Sequence, residues 1–340
     1  MTVSASILKN DNIMSSRIRL ARNVADYPMP KILRRGETED SMQFMREISS
    51  VYTEQEGFKL FLMNRLSQNE QLSLIERHLI SPNLDCNSPY SALILNQQQD
   101  ISIMLNEEDH IRSQCIMDGF RLNAAYERLD ELDNKLIKGM NIAYDKRFGF
   151  LTSCLTNVGT GLRASVMMFL PALERLGRIS EVFKRCASNG ITARGTYGEG
   201  SVATGFLYQI SNRYSIGRTE MQLIGEVSDA VEYILIEEER ARDELVRGRI
   251  TKLKDDILRS KGIALSAYTL SAKEFIELFC YIKLGIGLGY IAVSNVNEFN
   301  RLLCNTQPYT TKLIADKDLN DEETDIFRAD YVRRKLTKLL

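Results

Sequence analysis

The chain has 340 residues, of which 44% are hydrophobic and 26% are charged, and this composition is typical of globular proteins. Its 44 Lys and Arg residues nearly balance 45 Asp and Glu residues, which argues against nucleic-acid binding as the main role, because that role needs a basic excess. No apolar run approaches the roughly 20 residues of a membrane span, and the first residues lack a signal-peptide pattern, so we expect a cytoplasmic protein without a membrane or direct nucleic-acid partner.

Hydrophobic periodicity predicts alternating helices and strands in the first half of the chain. In chain order these are helix 41–55, strand 58–63, helix 68–79, a hairpin of strands 91–96 and 101–105, and helix 121–138, which ends at Gly139.

The second half begins with strands and becomes helical. The pattern predicts strand 150–154, a helix over 163–176, a second helix to about 188, strands 191–194 and 205–210, and helices 219–259, 271–285, 295–304 and 325–339. We interpret this order as an α+β body followed by a helical C-terminal part.

The rarer residue types exclude several catalytic sites. The six cysteines form no CxxC pair, which indicates free thiols in a reducing compartment. His78 and His110 are the only histidines, so HExxH zinc chemistry is excluded. The sequence has no GxxxxGK[ST], HRD or DFG string, which excludes P-loop NTPases and eukaryotic-type protein kinases.

Arginine is concentrated in segments that could bind an anion. In SSRIRLARN, at 15–23, Arg17 and Arg19 alternate with Ile18 and Leu20, so in a strand both guanidinium groups lie on one face. A solvated strand face would show the same pattern.

Three further segments combine arginine with acids or glycines. They are MLNEEDHIRSQC at 104–115, with Arg112; TSCLTNVGTGLRAS at 152–165, with Gly159, Gly161 and Arg163; and ARGTYGEGS at 193–201, with Arg194. Taken singly, the acidic run also fits a charged turn, and the glycine-rich segments also fit ordinary connecting loops. Cys154 alone also fits a small buried residue. Together, five arginines beside glycine-rich loops favour a polyphosphate ligand, because guanidinium groups bind phosphate oxygens bidentately.

The motifs NEEDHIR, TSCxTNVGTGLRASVM, RGTYGEGS and SSRIRLARN together resemble the phosphagen (guanidino) kinase family over about 15–245. The resemblance implies a catalytic domain at 12–245, built on a mainly antiparallel sheet flanked by helices. A helical C-terminal domain would follow at 246–340. It also implies transfer of the ATP γ-phosphoryl group to a guanidinium nitrogen, with Mg²⁺ held mainly through the nucleotide phosphates and no protein metal site.

The family's site residues can be carried over position by position. The resemblance places the acceptor guanidinium between Glu108 and Glu199, which hold and deprotonate it, beside the reactive Cys154; a Cys154 thiolate would add a third anion. It places the nucleotide on the phosphate-binding Arg17, Arg19, Arg112, Arg163 and Arg194, and on Ser15, Ser16, Ile18, His78, Ala164, Ser165, Val166, Met167, Gly195, Thr196, Tyr197 and Gly198.

Length favours the branch of the family that phosphorylates arginine side chains of proteins. Kinases of free arginine or creatine carry a helical domain before the SSRIR motif, whereas only 14 residues precede Ser15. By resemblance, we expect arginine-bearing protein substrates that include a heat-shock repressor, and marking for a Clp-type unfoldase and protease. We also expect a zinc-binding activator protein and a homodimer. The C-terminal domain would contribute to substrate and phosphoarginine binding and to dimerisation.

The sequence departs from the family pattern at four positions. Leu155 replaces a proline, Phe169 replaces a histidine, Val202 replaces a glutamate, and Thr324 replaces the first arginine of a phosphoarginine-sensing RDxxRA motif. Asp325, Arg328 and Ala329 keep the rest of that motif, so we expect weak or absent activation by phosphoarginine.

Two alternatives remain open from the sequence. One is a catalytically weak pseudokinase or adaptor that binds the repressor or the unfoldase, although the retained Cys154, Glu108 and Glu199 argue against it. The other is a kinase of free guanidino metabolites, which the short N-terminal segment disfavours.

Overall fold

The centre of the fold is one eight-stranded antiparallel sheet with the order β2-β3-β4-β5-β1-β8-β10-β9. The structure is a computed structural model that describes residues 12–33, 39–53, 57–195 and 205–340, without the side chains of 32, 33, 39–41 and 249. The strands are β1 (Ile13–Arg22), β2 (Phe58–Leu62), β3 (Ala92–Asn96), β4 (Ile101–Leu105), β5 (Ile111–Asp118), β6 (Tyr144–Asp145), β7 (Gly149–Phe150), β8 (Leu162–Phe169), β9 (Ile191–Gly195) and β10 (Leu207–Asn212); β6 and β7 form a separate hairpin.

Helices lie between these strands and make up the C-terminal part. They are α1 (Pro30–Leu33), α2 (Glu39–Thr53), α3 (Gln68–Glu76), α4 (Leu122–Gly139), α5 (Pro171–Arg175), α6 (Ile179–Ser188), α7 (Glu220–Ser266), α8 (Ala272–Gly287), α9 (Val296–Asn305), α10 (Pro308–Ala315) and α11 (Asp321–Leu339). None of the described helices is long and apolar enough to cross a bilayer.

The two faces of the sheet have different surroundings. On one face, buried side chains such as Ile18, Ala164 and Val166 join the main core, against which α4 and α7 pack. On the other face, a smaller apolar cluster that includes Leu93 and Met104 covers β3 and β4. The opposite face of β5, β1 and β8 carries the polar residues described below, so burial separates a core face from a site face.

The long helix α7 connects the sheet-containing body to the C-terminal part. It begins with a capping box at Thr219 and Gln222 and spans 47 residues. It packs against β8 and β10, and also against α8 and α11. The predicted domain boundary at 245/246 therefore lies inside one continuous helix.

A partly buried polar contact attaches the C-terminal part to the body. The Glu76 carboxylate, at the end of α3, accepts hydrogen bonds from Tyr309 N at 3.0 Å, Thr310 N at 2.7 Å and Thr310 Oγ1 at 2.8 Å. Both amides belong to the first turn of α10, so Glu76 supplies from another element the acceptor that a helix N-terminus needs.

The predicted α+β class, with a mainly antiparallel sheet and a helical C-terminal part, is confirmed. The hairpin of β3 and β4 is also found, and the helix predicted to about 188 is α6. Several helix ends differ from the prediction: α3 ends at Glu76, α7 continues to Ser266, and α11 begins at Asp321.

Two predictions in the middle of the chain are wrong. Residues 163–169, predicted as helix, form most of the central strand β8, and only Pro171–Arg175 is helical before α6. In β8 every second side chain from Leu162 to Met168 is fully buried, as expected for a strand. Its leucine, alanine and methionine residues nevertheless favour helices. The strand predicted over 150–154 is limited to Gly149–Phe150. Strand β5 and helix α10 were not predicted.

We expect Glu76→Ala to lower the free energy of unfolding by about 1–3 kcal/mol, because it leaves the first-turn amides of α10 without their acceptor. Chemical denaturation measured by circular dichroism would check this. Glu127→Ala, at an exposed position of α4, is the control and should stay within about 0.5 kcal/mol of the unaltered protein. Equal stability of the two variants would contradict the role of Glu76.

Candidate active site

Arginines from neighbouring strands lie on one face of the sheet. Arg19 of β1 stands opposite Gln114 of β5 and Arg163 of β8. Residues directly opposite each other share a face, and so do residues two apart on one strand. Arg17 and Arg112 therefore lie on this same face, which we call the arginine face.

The arginine face extends along the sheet to its edge. Arg194 of β9 stands opposite Gln209 of β10, and Gln209 stands opposite Met167 of β8. Arg194 is exposed, whereas Arg17, Arg19, Arg112 and Arg163 are half-buried. The structure thus brings together the five arginines that the sequence predicted as phosphate-binding.

Positive charge on the arginine face is only partly compensated. Arg112 Nη1 lies 2.7 Å from Glu107 Oε2, but Arg17, Arg19 and Arg163 form no carboxylate ion pair within the described ranges. Burial, together with Arg112 and Arg163, lowers the pKa of Arg17 to about 9. Burial and neighbouring arginines also lower the pKa of Arg19 and of Arg163. An anion bound here would relieve this repulsion.

Two guanidinium nitrogens are left available for such an anion. Arg19 Nε and Arg163 Nε are buried and have no hydrogen-bond partner among the residues that the structure describes. Arg163 Nη2 donates to Ser211 Oγ at 3.0 Å, which holds its side chain in place. Unpaired buried donors are costly, so these nitrogens fit a ligand with oxygen acceptors.

Gln114 organises one end of the arginine face and was missed in the sequence analysis. Its Oε1 accepts from Arg17 Nε at 2.8 Å, while its Nε2 donates to the carbonyl oxygens of His78 at 2.7 Å and Leu79 at 3.1 Å. His78 has a left-handed φ of 58°. Burial and Arg17 lower the pKa of His78 to about 4, so its ring is neutral near pH 7. The alternation of Arg112 and Gln114 would have revealed this position had β5 been recognised.

A buried aspartate joins the two loops that carry the predicted acceptor residues Glu108 and Cys154. Asp109 Oδ1 accepts from Asn23 Nδ2 at 2.7 Å and from Ser153 N at 2.7 Å. Ser153 Oγ in turn donates to the carbonyl oxygen of Glu108 at 2.8 Å. These bonds place Cys154 beside Glu108.

Glu108 and Cys154 line the same small cavity. The cavity measures about 120 Å³, and its other lining residues include Arg19, Arg112 and Arg163. Burial, with Asp109 and Glu107 nearby, raises the pKa of Glu108. The site therefore sets a carboxylate with raised proton affinity and a thiol against the arginine face.

A larger cleft continues from this cavity. It measures about 780 Å³, shares Thr156 and Arg163 with the cavity, and extends along β9 to Arg194 and Gly195. An elongated ligand could place one end in the cavity and the rest along the cleft.

The turn before β8 requires glycine at Gly161. Its φ is +65°, and a Cβ there would lie 2.4 Å from Arg22 Nη1 and 2.6 Å from the carbonyl oxygen of Ala21. Arg22 is buried, forms a 2.7 Å ion pair with Asp133 of α4, and donates to the carbonyl oxygen of Thr160 at 2.9 Å. This arginine is therefore structural and anchors the turn that leads to Arg163.

The other predicted nucleotide positions divide between the two faces. Ser15, Ser165 and Met167 lie on the arginine face. Ser16, Ile18, Ala164 and Val166 are fully or almost fully buried on the core face, so only their backbones could contact a ligand on the arginine face. Glu199, Thr196, Tyr197, Gly198 and Val202 lie outside the described residues.

The predicted phosphoarginine motif lies on α11 in the C-terminal part. Its polar side chains form hydrogen bonds within that part. Thr324 Oγ1 donates to the carbonyl oxygen of Asn320 at 2.6 Å. Arg328 is 1% exposed and donates to the carbonyl oxygens of Thr306 at 2.6 Å and Leu270 at 2.8 Å, besides pairing with Asp325. Ala329 is buried.

Two family models together match most of the chain. Residues 40–242 match the ATP:guanido phosphotransferase, C-terminal catalytic domain, and residues 250–340 match the protein-arginine kinase McsB C-terminal domain. The end of the first match, residue 242, and the start of the second match, residue 250, both lie within α7.

This chain is similar over long stretches to protein-arginine kinases and to a solved structure of a taurocyamine kinase. A protein-arginine kinase of Geobacillus stearothermophilus is 40% identical over 329 residues, which cover 96% of this chain and 91% of that protein. A protein-arginine kinase of Clostridium acetobutylicum is 38% identical over 335 residues, 98% of each chain. The substrate-free duplicated taurocyamine kinase from Schistosoma mansoni has a TM-score of 0.61 at 26% identity; the match covers 81% of this chain and 41% of that one. The chain therefore belongs to the ATP:guanido phosphotransferase family.

Proposed function

We propose that this protein transfers the γ-phosphoryl group of ATP to arginine side chains of proteins. The observation that carries the proposal is the small cavity in which Glu108 and Cys154 lie against Arg19, Arg112 and Arg163. The similarity to protein-arginine kinases over nearly the whole chain supports the same acceptor.

The arginine face would bind the polyphosphate of ATP. Arg19 Nε and Arg163 Nε, buried without partners in the described ranges, would donate to phosphate oxygens. Fixed guanidinium groups also stabilise the charge that spreads over the oxygens of the transferred phosphoryl group. The larger cleft toward Arg194 would hold the rest of the nucleotide.

The acceptor guanidinium would enter the cavity beside Glu108 and Cys154. A free guanidinium has a pKa above 12 and no nucleophilic lone pair, so a carboxylate must take a proton from it as it attacks. A guanidinium nitrogen then forms a bond to the γ-phosphorus while the bond from that phosphorus to the β,γ-bridging oxygen breaks. The proton passes to Glu108, the electron pair of the broken bond leaves with ADP, and the product carries a P–N bond.

A magnesium ion would accompany the nucleotide and neutralise phosphate charge. Magnesium usually retains several waters and is held through phosphates and one or two carboxylates. Glu107 Oε1 is the oxygen of this carboxylate that pairs with no arginine in the described part of the chain, so it could accept a hydrogen bond from a water held by such an ion. Its other oxygen already pairs with Arg112.

The proposed substrates are proteins with accessible arginines. A heat-shock repressor as substrate, marking for a Clp-type unfoldase and protease, a zinc-binding activator, a homodimer and a cytoplasmic location stay predictions. The adaptor alternative predicts nucleotide binding without phosphoarginine formation, and detection of phosphoarginine by mass spectrometry separates the two.

We expect Arg19→Gln to lower kcat/KM for ATP at least about tenfold, because one charged hydrogen bond to phosphate contributes about 1.5–3 kcal/mol. Steady-state kinetics with a fixed protein acceptor would measure the change. The control is Arg259→Gln on α7, an arginine whose side chain is 73% exposed. Unchanged kinetics in Arg19→Gln would contradict the phosphate-binding role.

We expect phosphoarginine on an arginine-rich acceptor protein incubated with Mg-ATP, and a large decrease in its amount in Glu108→Gln and Cys154→Ala. Mass spectrometry under non-acidic handling would detect it, because the P–N bond is acid-labile. For Glu108, kcat/KM should fall as pH falls through its raised pKa, since the protonated carboxyl cannot accept a proton. Glu108→Gln should retain only a slow rate without that acidic decline. ATP binding without any phosphoarginine would favour the adaptor.

We expect free phosphoarginine to bind the C-terminal part weakly and to leave kinase activity unchanged. Thr324 supplies no bidentate phosphate contact, and Arg328 already donates to backbone carbonyls. Isothermal titration calorimetry with the full chain would test this, and Thr324→Arg is the comparison variant. Tight binding by the unaltered protein would show that the expectation is wrong.

A further inference from the structure

Exposed apolar side chains surround the loop that carries Cys154. Leu155 is 86% exposed, and Phe148, Leu151 and Ile216 are between 41% and 49% exposed. We call these four residues the apolar rim. Single exposed apolar residues are ordinary on protein surfaces, but a group beside a site indicates an interaction surface.

Backbone contacts hold the parts of the rim together. Leu151 N donates to the carbonyl oxygen of Ala143 at 2.9 Å, and Phe150 pairs with Gly159. A Cβ on Gly159 would lie 2.8 Å from Ile216 Cα, so the segment of Ile216 packs directly against this loop.

Leu155 occupies a tight turn whose other residues line the cavity. Asn157 N donates to the carbonyl oxygen of Cys154 at 2.9 Å, which makes Leu155 the second residue of a β-turn. Cys154, Thr156 and Asn157 line the cavity, whereas the Leu155 side chain is exposed to solvent. The turn is thus kept with leucine where the sequence resemblance led us to expect proline.

The position of Leu155 beside the cavity determines which part of a substrate would contact the rim. An arginine that reaches Glu108 and Cys154 has its guanidinium in the cavity and its backbone at the mouth. The residues next to it in the substrate chain must then lie over the surface just outside, and Leu155 is part of that surface. Leu155 therefore connects the rim to the acceptor cavity, because its neighbours Cys154 and Thr156 line that cavity.

We propose that the apolar rim binds an apolar side chain of the substrate polypeptide within two residues of the acceptor arginine. This inference rests on the proposed function and deepens it, because it assigns a sequence preference to the acceptor side. Leu155 is the main determinant, since it is the most exposed member and the nearest to Cys154 along the chain.

Two fluorescently labelled peptides of equal length and charge, each with one arginine, would test the rim. One carries leucines on both sides of the arginine, and the other carries serines. Partial burial of one leucine predicts a kcat/KM about fivefold higher for the leucine peptide. Leu155→Ser and Leu155→Pro should bring this ratio close to one. Leu155→Pro preserves the turn, because proline suits its second position and the Leu155 amide donates no backbone bond within the described residues.

Leu258→Ser is the matched control, because Leu258 is 57% exposed on α7, and it should keep the fivefold ratio. Equal rates for both peptides, or a ratio retained in both Leu155 variants, would overturn the proposal. The proposal would also be overturned if the Leu155 variants kept the peptide ratio but shifted from dimer toward monomer in light scattering. The rim would then be an interface between copies of this chain. If neither peptide is phosphorylated, anisotropy tests the rim alone: tighter binding of the leucine peptide supports the rim and equal binding overturns it. The experiment with the acceptor protein decides the proposed function separately.

Discussion

The site depends on the uncompensated positive charge that the sheet holds on one face. Half-buried guanidinium groups repel each other and carry donors without partners, a cost that only an ordered scaffold sustains. The scaffold is the register of β5, β1 and β8, fixed because their alternate residues, such as Ile18 and Ala164, are buried in the main core. A one-residue slip would turn the arginines into that core. The energy of the core thus maintains the surface on which we propose that a polyphosphate binds.

The proposed acceptor side is built by buried polar contacts rather than by the strand register. Asp109 ties the Glu108 loop to the segment of Ser153, and Arg22 holds the glycine turn that precedes β8. The C-terminal part reaches the body near the Arg17 end of the arginine face, because Glu76 caps α10 and lies two residues before His78, whose carbonyl oxygen contacts Gln114. A change in how the C-terminal part packs would therefore act on a segment that Gln114 links to Arg17.

Much of the site could be predicted from the sequence, because alternation in SSRIRLARN already placed two arginines on one face. The strand β8 could not, since its leucine, alanine and methionine residues favour helices and only tertiary burial imposes a period of two. β5 was missed because polar residues such as Gln114 interrupt its apolar pattern, and their partners lie far away in sequence. Likewise, the burial of Arg328 against two backbone carbonyls depends on how α11 packs, which no local motif reveals.

We propose that the arginine face recognises a chain of phosphates, and this recognition can be measured directly. Isothermal titration calorimetry of the full chain with AMP, ADP and ATP, each with magnesium, isolates the contribution of each phosphate. We predict that affinity rises about tenfold or more with each added phosphate, since each gains charged hydrogen bonds from arginines. Equal affinity for AMP and ATP would mean that the arginine face does not hold the phosphates, and it would contradict the account.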